Sequence, residues 1–283
     1  MKKFKIGVIA DSFRLDFDSS LKKAKEIGAD GIQLYAVSGE ISPELNFGQR
    51  RAALKKIKEA GLEVSALCGD LGGHGFSLWK ENREKIKKSK QIIDLACDFE
   101  TSIVTTHIGV IPEDCNSDKY KIMQEACNEL AEYACFKGAF FAVETGPEPA
   151  QRLKSFLDSL SSKGVAVNFD PANLVMVTGD NPAKAVYELG KYIIHTHAKD
   201  GIMLKKTDPQ IIYDFFAEGG IGDLRLDEYF KEVPLGEGNV DFDSYLKALK
   251  DIGYEGYLTI ERETGENPES DIKAAAEFLK SKL

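Results

Sequence analysis

IIHTHAKD, residues 193–200, is the stretch on which the reading of this chain turns. Two apolar β-branched residues lead into His195 and His197, and the segment then breaks into Lys199, Asp200 and Gly201. Half of the four histidines of the chain lie here, two residues apart. Side chains at i and i+2 of a strand point to the same face. The stretch therefore reads as a short buried strand whose carboxyl end presents imidazole and charge, which is where parallel α/β proteins build their sites. A histidine at a strand end is more often packed than functional, so its neighbours must decide.

Working outward, NPAKAVYELGKY (181–192) has helical periodicity and runs into the strand. Before it stand VAVNFDPAN (165–173) as a strand with its exit loop, PAQRLKSFLDSLSSKG (149–164) as a helix and AFFAVETG (139–146) as a strand. Further upstream come helix 117–138, strand TSIVTTHIG (101–109), helix 81–99 and strand LEVSALCG (62–69) with its glycine-rich loop DLGGHGF. PELNFGQRRAALKKIKEAG (43–61) reads as a helix opening near Pro43, GIQLYA (31–36) as a strand, 17–30 as a helix and FKIGVIA (4–10) as the first strand. Downstream, FDSYLKALKDIG (242–253) is helical, YEGYLTIERE (254–263) is the eighth strand and 267–283 the last helix.

The strands are short apolar runs without alternation, as expected of strands buried on both faces. Strict β-α alternation implies a parallel sheet. Eight units in 283 residues imply a (β/α)₈ TIM barrel, which typically takes about 250. No composition break suggests a second domain, so 1–283 is expected to form one. The irregular piece is 201–240, where a loop so long in a compact domain is usually a lid or an interface. DFFAEGGIGDLRLDEYF (214–230) is apolar enough for a lid over the barrel mouth that also contributes to a homo-oligomer.

Composition excludes several classes. A net charge of −9 argues against a phosphate-backbone footprint, and so against nucleic acid. No run approaches the ~18 apolar residues of a membrane span. MKKFKIGVIADSF has too short an apolar stretch for a signal-peptide core and reads as a first strand. Five scattered cysteines without a CxxC suit reduced thiols in a cytoplasmic protein.

In a barrel, residues at the carboxyl ends of the strands converge on one mouth. There the chain offers Asp11, Gln33, Asp70 and His74, Thr106 and His107, Glu144, Asp170 and Asn173, His197 and Lys199, and Glu261 with Glu263. Strands five to eight each end in a metal-competent side chain. One such glutamate is ordinarily a salt-bridge partner, but several buried carboxylates in consecutive strands repel one another unless a cation neutralises them. Glu144, Asp170, His197 and Glu261 thus read as a cage for one divalent ion, with Mn²⁺ or Mg²⁺ favoured over Zn²⁺ or Co²⁺ by the oxygen-rich set. His107 is a candidate substrate contact, His74 a weaker one, and His195 is expected to pack beneath His197. The GxG of VPLGEGNVDF lacks a strand–GxGxxG–helix context and reads as a turn.

VETG, NFDPANL, HTHAKDG, VPLGEGNVDF and GYLTIERE, in that order, resemble the sugar phosphate isomerase/epimerase family of xylose isomerase-like barrels. The resemblance covers nearly the whole chain. It implies that Glu144, Asp170, His197 and Glu261 ligate one metal, and that Glu144 and Glu261 also act as the catalytic acid/base pair on opposite faces of a small carbohydrate. The metal would chelate a carbonyl and its neighbouring hydroxyl and stabilise the enediolate left when the α-proton departs. Return of the proton to the same carbon from the far side is epimerisation; return to the neighbouring carbon is isomerisation.

Three positions depart from the ketose 3-epimerase pattern. Asn173 stands where those enzymes carry a substrate-binding histidine, and Ala150 where they carry a glutamate, with Glu148 close by. Lys199 and Asp200 follow the histidine in place of an acidic residue and an arginine. Asn173, Lys199 and Glu148 are accordingly expected to face the substrate, and Lys199 has Asp200 and Glu263 as alternative salt-bridge partners. A lyase on 3-keto glycosides would use the same proton abstraction. An endonuclease IV-like zinc phosphodiesterase fits poorly, because four histidines are too few for three zinc ions. A non-catalytic sugar-binding barrel fits less well than an enzyme, given an intact cage.

Overall fold

Eight parallel strands close into a barrel in the computed structural model, which describes residues 4–283. Lys2 and Lys3, at the basic start of the sequence, lie outside the described residues. The strands are β1 (Lys5–Ile9), β2 (Gly31–Tyr35), β3 (Glu63–Cys68), β4 (Ile103–Thr106), β5 (Phe140–Glu144), β6 (Val165–Phe169) and β7 (Ile193–Ala198). An antiparallel hairpin, β8 (Asp200–Met203) with β9 (Phe230–Val233), follows before β10 (Tyr257–Ile260) closes the barrel between β7 and β1. Around the barrel run α1 (Phe17–Glu26), α2 (Phe47–Glu59), α3 (Trp79–Asp98), α4 (Asp118–Lys137) and α5 (Ala150–Asp158). They continue with a single turn α6 (Pro171–Asn173), α7 (Pro182–Leu189), α8 (Pro209–Glu218), α9 (Phe242–Asp251) and α10 (Pro268–Lys282).

The apolar strand runs do what was expected of them. Val8, Ile32, Leu67, Val104, Phe141, Val167 and Leu258 are fully buried, packed in the one core that joins strands to helices. Register then fixes the neighbours of each site residue: Glu144 lies beside Asn168, Asn168 beside His195, and His197 beside Thr259.

Two helices begin or end away from their expected limits, each for a local reason. α2 starts at Phe47 and not near Pro43, because Asn46 accepts from the Gln49 N–H at 3.0 Å while the Gln49 side chain accepts from the Asn46 N–H at 2.9 Å. α5 stops at Asp158, short of Gly164, where the Ser159 hydroxyl turns back to the Phe156 carbonyl at 2.6 Å.

The 201–240 segment is more ordered than a loop. It holds the β8–β9 hairpin and α8 between them. Asp200 anchors its return. The carboxylate accepts from the N–H groups of Gly201, Gly236, Gly238 and Val240 at 2.8–3.1 Å, so the LGEGN turn wraps around one buried side chain. Gly238 is required there, since a Cβ would lie 2.1 Å from that carboxylate. Among the described residues no helix is long and apolar enough to cross a membrane.

Candidate active site

Glu144 ends β5, Asp170 follows β6, His197 lies near the end of β7 and Glu261 follows β10. Their carboxylate oxygens and imidazole nitrogen all lie within 4.8 Å of one another. His197 Nδ1 is 3.7 Å from Glu144 Oε1, 3.7 Å from Asp170 Oδ2 and 3.1 Å from Glu261 Oε2. Asp170 Oδ2, His197 Nδ1 and Glu261 Oε2 are buried without a hydrogen-bond partner. Such atoms ordinarily find partners. Three of them meeting at one point leave a coordination-sized gap lined by donor atoms.

The remaining atoms of these side chains are held firmly. Asp170 Oδ1 caps α6, accepting from the Ala172 N–H at 2.7 Å and the Asn173 N–H at 3.0 Å, which turns Oδ2 inward. Asn173 donates to Glu144 Oε1 at 2.9 Å, and Asn168 donates to Glu144 Oε2 at 3.1 Å. His197 Nε2 lies 3.3 Å from Gln33 Oε1 and 3.1 Å from Asn168 Nδ2. Burial disfavours its charge, but Glu261 and Glu144 outweigh burial and raise the ring well above the usual histidine range; with Nε2–H donating to Gln33, release of the Nδ1 proton would free that nitrogen for a cation in the gap. Gln33 Oε1 also receives His195 Nε2 at 2.9 Å. His195 is fully buried beneath His197, as expected, and burial together with the neighbouring His197 holds its ring well below the usual histidine range, hence neutral.

Cations crowd the same carboxylates. Lys199 is 4% exposed; its ammonium lies 3.1 Å from Glu261 Oε2 and 3.9 Å from Asp170 Oδ2, and it bonds Glu263. Burial opposes its charge, but Glu261, Glu263 and Asp170 outweigh burial and hold the ammonium protonated. Glu261 is pushed up by burial and pulled further down by Lys199 and His197, ending below the usual carboxylate range. His107 Nδ1 bonds Asp70 at 3.0 Å and its Nε2 lies 3.8 Å from Glu144 Oε1. Burial disfavours its charge, yet Glu144 and Asp70 raise it to about 10.

Above the four carboxyl-end residues opens a cavity of about 890 Å³. His107, Asn173 and Lys199 line it, together with Gln33. Glu148 does not belong to that lining. It is 1% exposed, its Oε2 accepts from the Ile111 N–H at 3.1 Å, and burial raises its carboxyl to about 7. The residues that sequence reading missed are Asn168, a polar side chain within the apolar run VAVNF, and Tyr213 on α8. Tyr213 stacks obliquely on His107 with ring centroids 5.9 Å apart. Gly146 makes room for it, because a Cβ there would lie 2.9 Å from the Tyr213 hydroxyl. His74 also belongs to this side of the mouth, its Nε2 meeting Glu218 of α8 at 2.6 Å and its Nδ1 lying 3.6 Å from Asp214.

Fold and site together define a parallel (β/α)₈ barrel with a carboxylate-rich cluster at the carboxyl ends of its strands. The chain belongs to the xylose isomerase-like TIM barrel family, whose model matches residues 21–282. An uncharacterized protein of Methanocaldococcus jannaschii is 27% identical over 67% of this chain and 60% of its own length. L-ribulose-5-phosphate 3-epimerase UlaE of Escherichia coli O157:H7 is 25% identical over 93% of this chain and 88% of its own. Among solved structures, a xylose isomerase domain protein from Planctomyces limnophilus superposes with a TM-score of 0.79 at 25% identity, covering 99% of this chain and 96% of that one.

Proposed function

We propose that the protein is a divalent-metal-dependent sugar isomerase or epimerase that abstracts the proton on a carbon beside a carbonyl. The observation that carries this reading is the meeting beside Glu144 of three buried atoms without a hydrogen bond, Asp170 Oδ2, His197 Nδ1 and Glu261 Oε2, the last of them also 3.1 Å from the Lys199 ammonium. Such a donor set fits a cation, and its oxygen-rich make-up favours Mn²⁺ or Mg²⁺ over Zn²⁺. When bound by Glu144, Asp170, His197 and Glu261, the ion would supply Lewis-acid polarisation of the substrate's carbonyl and adjacent hydroxyl oxygens.

The side chains do the rest. Glu144 at the end of β5 and Glu261 just after β10 stand three strand positions apart around the barrel mouth, and one is assigned to remove a proton and the other to return one. Asn168 and Asn173 fix the Glu144 carboxylate so that it need not reorganise as it reacts. Lys199, beside Glu261, is placed to donate to a substrate oxygen that gains charge. His107, tied to Asp70, faces the same cavity and offers its Nε2–H to a hydroxyl. α8 then serves as a lid, with Tyr213 and the His74 contacts closing the mouth over the sugar and excluding water. The relation to L-ribulose-5-phosphate 3-epimerase supports a ketose substrate. The same abstraction serves epimerisation, isomerisation or expulsion of a β substituent, according to where the electron pair goes. The test is incubation of the Mn²⁺-loaded protein with a panel of ketoses and keto-glycosides in D₂O. Deuterium is expected at one α-carbon of at least one substrate, and a panel without exchange refutes the reading.

A further inference from the structure

Three of the cage residues are held through their own side chains, Glu144 by two asparagines, His197 by Gln33 and Asp170 by the turn it caps. Glu261 is the exception. Its Oε2 is buried without a hydrogen bond, between His197 Nδ1 and the Lys199 ammonium, each 3.1 Å away. What holds Glu261 is the chain on either side of it. Its N–H donates to the Ala198 carbonyl at 3.2 Å, and the two residues that follow are gripped by other elements. The Arg262 N–H donates to the Ser12 hydroxyl at 3.1 Å, and the Arg14 guanidinium donates to the Glu263 carbonyl at 2.8 Å. A third grip comes from Glu232.

Glu232 lies on β9 opposite Gly201 of β8, so the hairpin after β7 folds it back onto the segment leaving β10. Its Oε1 accepts from Arg262 Nη1 at 2.6 Å and from the Glu263 N–H at 3.1 Å. Glu232 and Arg262 are both buried, and Arg262 also donates from Nε to Asp271 of α10 at 2.8 Å. Gly265 leaves the guanidinium its room, since a Cβ there would lie 2.7 Å from Nη2. A buried ion pair returns little net stability, because desolvating two charges offsets their attraction, and its best-attested use is to fix one arrangement among several. Here the arrangement reaches the cage. Glu263, whose N–H Glu232 holds, bonds Lys199 with its carboxylate, and Lys199 meets Glu261 Oε2.

We propose that Glu232 is a positioning residue, which through Arg262 and the Glu263 N–H fixes the direction of Glu261 and of the Lys199 ammonium beside it. The catalytic part of this role rests on the proposed function. Glu232 lines the cavity, yet both of its oxygens are engaged, Oε2 accepting from the Glu263 N–H at 3.3 Å, so it acts through its neighbours. It does for Glu261 what Asn168 and Asn173 do for Glu144. The hairpin that carries Glu232 also carries α8 between its strands. The piece of chain that covers the mouth is thus the piece that sets one of the two acid/base groups.

The experiment is a double-variant cycle read by Mn²⁺ calorimetry on chelator-treated protein. Glu232→Gln keeps the size of the side chain but withdraws the charge that Arg262 meets, and Mn²⁺ affinity should fall roughly tenfold or more. In a Glu261→Gln background the same change should have almost no effect, because the group it positions is already altered. Unchanged affinity, or an equal loss in both backgrounds as for a general loosening of the fold, overturns the role. Arg262→Lys keeps the charge but loses the fork that reaches Glu232 and Asp271 together, and it decides the cycle in the same way where Glu232→Gln does not fold. The second arm is steady-state proton exchange in D₂O, where Glu232→Gln should lower kcat about tenfold and leave KM within about twofold. A rise in KM alone makes Glu232 a substrate contact and overturns the role. No exchange by any of the proteins, with the metal cycle as predicted, overturns the proposed function and leaves Glu232 as the residue that positions a metal ligand.

Discussion

The floor of the cavity and the wall that α8 raises over it are held by different means. The cage side chains stand at the ends of barrel strands, and three of the four have their other polar atoms tied down: Glu144 by Asn168 and Asn173, His197 by Gln33, Asp170 by the turn it caps. The wall is fastened by a few side chains reaching across the mouth, namely His74 to Glu218, Tyr213 to His107, and Lys119 to Gln210 at 3.1 Å. A preorganised floor beneath a lightly pinned wall is the division of labour expected when chemistry demands fixed geometry and substrate entry demands movement.

Changes in the floor should accordingly do most damage. Glu261→Gln keeps the shape but removes one of the two acid/base groups, and exchange of a substrate α-proton with D₂O should slow by roughly 10²–10⁴. Exchange as fast as wild type would remove Glu261 from the mechanism. Glu148, buried outside the cavity lining and bonded to the Ile111 N–H, tests stability. Its carboxyl rises from 4.5 to about 7 on folding, so the folded state favours the neutral form. The cost of burying its charge is complete above pH 7, shrinks as pH falls through the interval and vanishes below 4.5. Glu148→Gln should therefore stabilise the protein at pH 8, by up to roughly 3 kcal/mol, with the difference fading near pH 4.5 in parallel thermal melts.

Asn168→Ala leaves the four cage residues in place but frees Glu144 and His197 of a common neighbour, and Mn²⁺ affinity should fall roughly 10–100-fold. An unchanged affinity would make Asn168 a packing residue. The smallest effect belongs to the wall: His74→Ala removes a partly exposed contact worth less than about 1 kcal/mol. It should raise KM modestly, with little change in kcat, in steady-state assays.

How far each region could be read in the sequence follows from the same contrast. Strand ends of a barrel converge whatever their sequence separation, so Glu144, Asp170, His197 and Glu261 were legible from the β-α alternation. His195 and His197 share a face and spacing, yet one packs on Gln33 and Thr259 while the other looks into the gap. Comparison with other strands separates them, and their own spacing does not. Glu148 was expected at the substrate because it lies near a glutamate position of related enzymes; the backbone directs it to the Ile111 N–H, out of the cavity lining. Tyr213 and the hairpin after β7 were hidden because tertiary contacts decide them: no local period announces that Asp200 will gather four N–H groups from up to forty residues away.

The central claim is that four strand-end side chains form one cation site. Chelator-treated protein titrated with Mn²⁺, followed by calorimetry and by elemental analysis of the loaded sample, tests it directly. One ion per chain is predicted for the wild type, with binding strongly weakened in His197→Ala. No ion, two or three ions per chain, or undiminished binding by the variant would contradict it.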